Sequence, residues 1–302
     1  MSHKSGFVSI LGRPNAGKST LLNALVGQKV SIVADKPQTT RTAIQGVVTT
    51  PEAQIILVDT PGIHKSSSAI NKRMMDSVRA SLEERDLLVY VVDATKPFSE
   101  EDERAVSVLR RNPAPAILAF NKIDALKAKQ DLLPLMEEYP KHHDFAEYLP
   151  ISAETGVGVE KLRGEIVKRL PEGPEYFPED HVTDQPARFL AAELIREKIL
   201  LATRQEVPHA TTVAIDQWEE TERLIRIHAS IVVEREGQKG IVIGKRGSML
   251  KEIGTLARQE MEALFGIAIY LDLHVKVEAA WRENRAYLDA LDWRTMAGRD
   301  DT

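Results

Sequence analysis

Eight residues near the N-terminus, Gly12-Arg13-Pro14-Asn15-Ala16-Gly17-Lys18-Ser19, place the strongest constraint on this 302-residue chain. They fit G-x-x-x-x-G-K-[ST], follow an apolar run over 7–11 and open a helical pattern over 19–25. In such a strand–loop–helix context the glycines let the backbone curl until successive N–H groups point at phosphate oxygens, and the helix adds its positive N-terminal end. Gly12, Asn15, Ala16, Gly17 and Thr20 count as phosphate-binding positions. Lys18 is expected to reach the β- and γ-phosphates, and the Ser19 hydroxyl to ligate Mg²⁺.

The pattern downstream agrees with a doubly wound α/β domain. Candidate strands at 7–11, 55–59, 87–93, 116–121 and 148–152 are nearly unbroken in apolar character, as strands buried on both faces should be. Helical patterns at 19–25, 70–82, 100–111, 129–138 and 159–170 alternate with them. A stretch with four prolines and several acids, 171–186, reads as a linker. Beyond it the order changes to a helix, strands at 211–215 and 224–233, a glycine-rich segment 240–247, a helix over 248–265, a strand over 267–277 and a final helix over 279–291. The reading is thus three parts: an α/β domain over 1–170, a linker over 171–186 and a smaller α+β domain over 187–302.

Composition excludes several classes. No cysteine is present, which removes disulfides, thiolate metal sites and cysteine nucleophiles. No apolar stretch approaches the roughly 20 residues that span a bilayer, and no charged-then-apolar leader opens the chain, so a cytoplasmic location is the expectation. The net charge is −5, with 23 Lys and Arg against 25 Asp and Glu up to Thr183 and 17 against 20 beyond it. Neither half has the bulk positive charge of a general nucleic-acid binder, so any such binding needs a local patch.

Three further motifs stand at the ends of successive strands, where ligands bind in open α/β sheets. Asp59-Thr60-Pro61-Gly62 would hold Mg²⁺ through Asp59 and its water shell and offer the Gly62 N–H to a γ-phosphate. Asn121-Lys122-Ile123-Asp124 carries a carboxylate that can accept from both N1–H and the exocyclic amine of guanine; adenine lacks that pair, so Asp124 favours GTP. Lys122 can lay its stem along the base plane. Ser152-Ala153 ends another strand, with the Ala153 N–H available to guanine O6. Four motifs in this order make a GTP/GDP site with Mg²⁺ the reading of the first domain.

Here the chain resembles the translation-factor class of P-loop GTPases. Pro37-Gln38-Thr39-Thr40-Arg41 is similar to their first switch, and the resemblance implies that Thr40 completes Mg²⁺ coordination, with Thr39 the alternative. The position of the water-orienting glutamine of Ras-like enzymes holds Ile63, which cannot bond a water. Lys18, Thr40, Gly62 and Asn15 are therefore the catalytic candidates. In related GTPases an asparagine at the Asn15 position helps bind K⁺ beside the phosphates, where a cation would stabilise the charge of the transition state; the alternative is that Asn15 only shapes the loop.

In the second domain, Gly244-Lys245-Arg246-Gly247 precedes a long helix. Between Arg235 and Arg258 stand six basic residues and two acidic ones, a local charge of +4. The run VEREGQKGIVIGKRGSMLKEIG resembles a type II KH domain, whose chain order is helix–strand–strand–helix–helix–strand and whose G-x-x-G loop clamps about four nucleotides of single-stranded RNA. Lys239, Gly244, Lys245, Arg246, Gly247 and Lys251 are the RNA-binding candidates.

A P-loop GTPase followed by this KH run resembles, over essentially the whole chain, the Era family of bacterial ribosome-assembly GTPases. QTTR, DTPGIHK, NKID, PISAETG, FPED, IREKIL and VEREGQKGIVIG carry the resemblance. It implies binding to the 3′ end of small-subunit ribosomal RNA, late maturation of the small ribosomal subunit, a link to the cell cycle and peripheral contact with the inner face of the membrane; a monomer is expected. The competing reading is a GTPase of another class with a C-terminal protein- or membrane-interaction domain. The C-terminal helix with Trp281, Tyr287, Leu288 and Trp293 could touch a membrane, but interspersed acids favour its packing on its own domain. A nucleotide kinase is opposed by NKID and SAE, which serve guanine recognition.

Overall fold

A computed structural model describes residues 3–36, 38–62, 69–83, 85–204 and 207–290. Pro37, residues 63–65 of the DTPGIHK run including Ile63, Leu291 and Trp293 lie outside the described residues. The chain divides into two compact units: the described residues of the first are drawn from 1–31, 40–67 and 71–184, and those of the second from 32–39, 68–70 and 185–302.

The first unit is built on six strands, β1 Lys4–Leu11, β2 Ile44–Thr49, β3 Ala53–Asp59, β4 Leu87–Asp93, β5 Ala116–Asn121 and β6 Glu147–Pro150. Their spatial order is β2-β3-β1-β4-β5-β6. All neighbours run parallel except β2 against β3. Every residue of β3, β4 and β5 is buried, which is why their sequences read as continuous apolar runs rather than alternating ones. The edge strand β2 was not anticipated: IQGVVT is short and interrupted by Gly46, so its pattern alone does not mark a strand.

Helices α1 Lys18–Val26, α2 Ala69–Ala80, α3 Glu100–Leu109, α4 Leu133–Glu138 and α5 Val159–Arg169 belong to this unit, with the exception of the first two residues of α2. On one side of the sheet Tyr90, Val92, Leu118 and Phe120 pack with Val78, Ala105, Val106, Leu109 and Tyr139. Each such large side chain contributes about 1.5–3 kcal/mol when fully removed from water. α3 begins where Ser99 and Asp102 bond each other's backbone N–H groups, a reciprocal cap. The helix expected over 129–138 is instead a 3₁₀ turn, Lys129–Leu132, followed by α4. Pro134 lacks the N–H that a continuous helix would need.

The proline-rich stretch is bonded to this unit through residue 184. The fully buried Gln54 accepts from the N–H groups of Tyr176 (2.7 Å) and Phe177 (3.0 Å) and donates to the Phe177 carbonyl (2.8 Å). Along β2, Val47 N–H donates to the Val182 carbonyl at 2.8 Å and Gln45 donates to Asp184 at 2.6 Å.

The second unit holds α6 Ala187–Ala202, β7 Thr212–Glu220, β8 Leu224–Val233, α7 Glu236–Ile243, α8 Ser248–Phe265, β9 Ala268–Val277 and α9 Arg285–Ala290. Its sheet has the order β7-β8-β9, antiparallel then parallel. The period-two pattern of β8 sends Ile225, Ile227, Ala229, Ile231 and Val233 into a core shared with Ile195 and Ile199 of α6 and with Ile253, Ala257 and Met261 of α8. The segment before the G-x-x-G loop is helical, as the KH resemblance implies, although periodicity alone left it as a glycine-rich stretch. The single helix expected over 279–291 is broken: a turn at Trp281–Glu283 is separated from α9 by Asn284, whose backbone is extended and whose side chain accepts from Ala286 N–H at 3.0 Å. Trp281 is fully buried and donates to the Ala210 carbonyl at 2.9 Å, so this residue packs on its own domain.

Candidate functional site

The chain leaves β1 at Leu11 and enters α1 at Lys18 through a loop in which Gly12, Asn15 and Gly17 all have positive φ. At Gly17 a side chain is disfavoured on two counts. Its φ is 94°, and a Cβ would collide with Nδ2 of Asn121. Asn15 has φ 61°, a conformation asparagine tolerates better than most residues, which supports its loop-shaping role; a K⁺ contact is a separate matter.

Lys18 is buried, and its Nζ donates to the Arg13 carbonyl at 3.0 Å. Burial lowers its affinity for a proton, against the pull of the nearby Asp59 carboxylate. Asp59, at the end of β3, has no exposed surface. Burial raises its carboxyl pKa, opposed by the Lys18 charge and by hydrogen bonds from Ser19, Ser31 and Thr40. Its Oδ2 accepts from Ser19 at 2.6 Å and from Ser31 and Thr40 at 3.2 Å each, and the Ser19 and Thr40 hydroxyls are 2.8 Å apart. Its Oδ1 is buried with no hydrogen-bond partner in the protein. Two hydroxyls and a carboxylate with an unsatisfied oxygen form a hard oxygen-donor set that fits Mg²⁺. Such an ion, when bound, neutralises charge on phosphate oxygens; Ser19, Thr40 and Asp59 would hold it. Thr39 faces elsewhere: its hydroxyl donates to the Ala34 (3.1 Å) and Lys36 (2.7 Å) carbonyls. Of the two threonines, Thr40 is the one beside Asp59.

The residues expected to recognise the base meet at the ends of β5 and β6. Asn121 is buried, donating through Nδ2 to the Ala16 carbonyl and accepting at Oδ1 from the Ala153 N–H, each at 2.9 Å. The N–H expected at guanine O6 is therefore engaged by Asn121 here. Ser152 is fully buried and its Oγ accepts from Thr155 N–H at 3.1 Å, shaping the turn. Lys122, with φ 67°, reaches Asp93 at 2.9 Å. Burial opposes the Asp93 charge, but hydrogen bonds from Thr95 and Lys122 outweigh it and hold the carboxyl below its ordinary value. Asp124 is exposed at the rim. Gly62 lies against Pro14: a Cβ there would be 2.8 Å from the proline ring.

Sequence reasoning missed Ser31, Asp93 and Asn23. Ser31 is near no motif. Asn23 orders its loop by accepting from Val30 N–H (2.9 Å) and Ser31 N–H (3.0 Å). Asp93 did leave a signal, since it ends a strand at the same edge as Asp59 and Asn121.

The comparisons with known proteins agree with this geometry. Residues 7–122 match the family model described as a 50S ribosome-binding GTPase, and residues 206–282 match that of a KH domain. GTPase Era of Syntrophus aciditrophicus is 50% identical over 283 residues, 93% of this chain and 92% of that protein. The chain belongs to the Era family of GTPases. Like the family, it is a GTPase with a KH domain. GTPase Era of Geobacter metallireducens is 47% identical over 292 residues, covering 96% of this chain and 98% of that one. Among solved structures, Era in complex with MgGDPNP and nucleotides 1506–1542 of 16S ribosomal RNA superposes with a TM-score of 0.93 at 42% identity, covering 96% of this chain and 99% of that one. Aquifex aeolicus Era bound to GDP and AlF₄⁻, a point variant, gives 0.91 at 42% identity, with coverage of 96% and 99%.

In this Era-family chain the G-x-x-G loop joins α7 to α8. Gly244, Arg246 and Gly247 have φ of 71°, 54° and 78°. At Gly244 a Cβ would lie 2.7 Å from that of Met249, so glycine is what lets the loop close against α8. Lys245, Arg246 and Lys251 are exposed and Lys239 is half-buried, leaving their charges available to phosphates.

Proposed function

We propose that this Era-family GTPase is a switch that binds the 3′ end of small-subunit ribosomal RNA and assists maturation of the small ribosomal subunit in the cytoplasm. The observation that carries the reading is the near-complete superposition on Era bound to MgGDPNP and a 16S ribosomal RNA fragment, together with a local basic loop whose glycines permit close backbone approach. Lys239, Lys245, Arg246 and Lys251 would meet phosphates and position the strand, while unstacked bases would be read in the adjoining groove.

In the nucleotide site, Lys18, Ser19, Thr20 and the loop from Gly12 to Gly17 would hold the phosphates. Asp124, Asn121, Lys122, Ser152 and Ala153 would surround the guanine, with the Ala153 N–H shared between Asn121 and O6. Thr40 and Gly62 would close on the γ-phosphate side. Asn15 would help hold K⁺ beside the phosphates, where the ion would stabilise the charge of the transition state in a site whose Ile63 cannot orient the attacking water. The buried Trp281 gives no support to a membrane contact at that residue.

The test is binding of the purified chain to a synthetic RNA with the 3′-terminal sequence of its own 16S ribosomal RNA, with a GTP analogue or GDP present. Sub-micromolar, salt-dependent affinity that exceeds affinity for a scrambled RNA of equal length is expected. Equal affinity for both RNAs would overturn the ribosomal assignment.

A further inference from the structure

Arg13 is the second residue of the phosphate-binding loop, and it is bonded at both ends. Its carbonyl accepts from the Lys18 ammonium at 3.0 Å. Its side chain leaves the loop and reaches the start of α3, where Nη1 lies 3.0 Å from Asp102 Oδ2 and 3.3 Å from Ser99 Oγ. The pair is sequestered, with 13% of the arginine side chain and 1% of the aspartate exposed. Asp102 is held in turn. Its Oδ2 also accepts from Ser99 N–H (3.0 Å) and Ser99 Oγ (2.7 Å), and its Oδ1 faces the Tyr90 hydroxyl at 3.4 Å. Tyr139 bonds it as well, and burial drives the pKa of both phenols far above the ordinary range, so they remain donors.

A sequestered ion pair contributes little to stability on balance, because desolvation consumes most of the attraction; in some proteins such a pair serves to select one geometry. Here the selected geometry is that of a peptide whose carbonyl anchors the phosphate-contacting lysine. We propose that Asp102 is a positioning residue of the GTPase site: by fixing the Arg13 side chain it orients the Arg13 carbonyl and so aims Lys18. The same carbonyl also accepts from the Ala16 N–H, but at 3.4 Å, a long and weak bond; without the side-chain anchor that bond alone is left to hold the acceptor that directs the buried ammonium. The proposal rests on the reading of Lys18 as the lysine that meets the β- and γ-phosphates.

The experiment compares Arg13→Gln, Asp102→Asn, their double variant, Arg13→Lys and Ser99→Ala. Each is measured for fluorescent GDP and GTP-analogue affinity, kcat and KM, and for melting temperature without nucleotide. Loss of one charge-assisted bond predicts about a tenfold weaker nucleotide affinity in Arg13→Gln and in Asp102→Asn. The double variant should be no worse than the weaker single one, since both remove the same anchor. Arg13→Lys should recover affinity to within about threefold. Ser99→Ala removes the side-chain half of the α3 cap and the longer 3.3 Å contact to Arg13 but keeps the Arg13–Asp102 ion pair, so it should lower the melting temperature while leaving nucleotide affinity within about twofold.

Normal affinity in Arg13→Gln, or additive losses in the double variant, would overturn the proposal. A loss in Ser99→Ala equal to that in Asp102→Asn would also overturn it, by assigning the effect to the helix cap. Should Asp102→Asn fail to fold, Arg13→Gln and Arg13→Lys decide alone. Lys18→Ala separates the underlying reading: unchanged nucleotide affinity there would overturn the role of Lys18 itself, whatever the Arg13 variants do.

Discussion

The Asn121 side chain donates to the Ala16 carbonyl at 2.9 Å, joining the end of β5 to the phosphate-binding loop across 105 residues of sequence. The same amide accepts from the Ala153 N–H. One buried side chain therefore ties the phosphate half of the site to the base half. Asn121→Ala should leave both backbone groups without partners, a cost of about 1–3 kcal/mol for each buried group. GDP affinity measured by calorimetry should fall at least tenfold, and the melting temperature should fall with it. Unchanged affinity would mean that the two halves are held by other contacts.

Removal of Mg²⁺ tests the oxygen cluster at Asp59. With EDTA, GTP hydrolysis should stop and return on addition of Mg²⁺. Asp59→Asn should raise the Mg²⁺ concentration for half-maximal activity by about tenfold or more, because a neutral amide offers the ion no charge. The buried Oδ1 without a partner is the motive. An unaltered Mg²⁺ requirement would remove Asp59 from the metal site.

Base selectivity follows from Asp124. Xanthine carries a carbonyl where guanine carries its amine, and an asparagine amide can donate to it. Asp124→Asn should therefore weaken GTP binding and shift preference toward xanthosine triphosphate, read by competition against labelled GDP. Because Asp124 is exposed, the fold should be unaffected. Retained GTP preference would sink the assignment.

Monovalent cations probe Asn15. Hydrolysis should run faster in K⁺ than in Na⁺ at matched ionic strength, and Asn15→Gly should abolish the difference. Glycine tolerates the φ of 61° found there, so loop shape is kept while the side-chain ligand is removed. If the salts give equal rates in the parent chain, Asn15 serves the loop alone.

For the KH loop, Gly247→Asp is the cleaner variant. No atom lies within 4 Å of a Cβ at Gly247, whereas one at Gly244 would strike Met249. Strain at φ 78° costs about 1–3 kcal/mol, which the unit should survive, and the added charge repels phosphate. Filter binding should show RNA affinity reduced more than tenfold in Gly247→Asp and in the Gly244→Asp/Gly247→Asp double variant. Phosphate release without RNA should stay within about twofold. Normal RNA binding by the folded variants would make this loop a simple turn.

Much of the molecule was legible in sequence because its signals are local. Gly12 to Ser19 form a contiguous segment that its motif marks out, and β3, β4 and β5 are buried on both faces, so their apolar runs announce them. The strand β8 shows its alternation because one face, Ile225, Ile227, Ala229, Ile231 and Val233, packs on α6 and α8 while Arg226 on the other is exposed. Where a feature depended on a single residue's backbone, the pattern failed: Pro134 and Asn284 each interrupt a helix that periodicity would have continued, and β2 reads as nothing until β3 is beside it.

The sequence by itself determined which chemical groups are present and in what order along the strands: the lysine and serine of the loop, the carboxylates at the strand ends, the basic G-x-x-G turn. The resemblance already favoured Thr40 over Thr39; only the tertiary structure put the Thr40 hydroxyl beside Asp59 and turned that of Thr39 to the Ala34 and Lys36 carbonyls, since adjacent threonines differ only in where the chain turns them. The tertiary structure also decided that Asn121 spans the site, that Asp93 holds Lys122 and that Asp102 grips Arg13. These are contacts between residues about 30 to more than 100 positions apart. Such partnerships arise when a parallel sheet brings the carboxyl ends of separate strands to one edge, and no local pattern records which side chains will meet there.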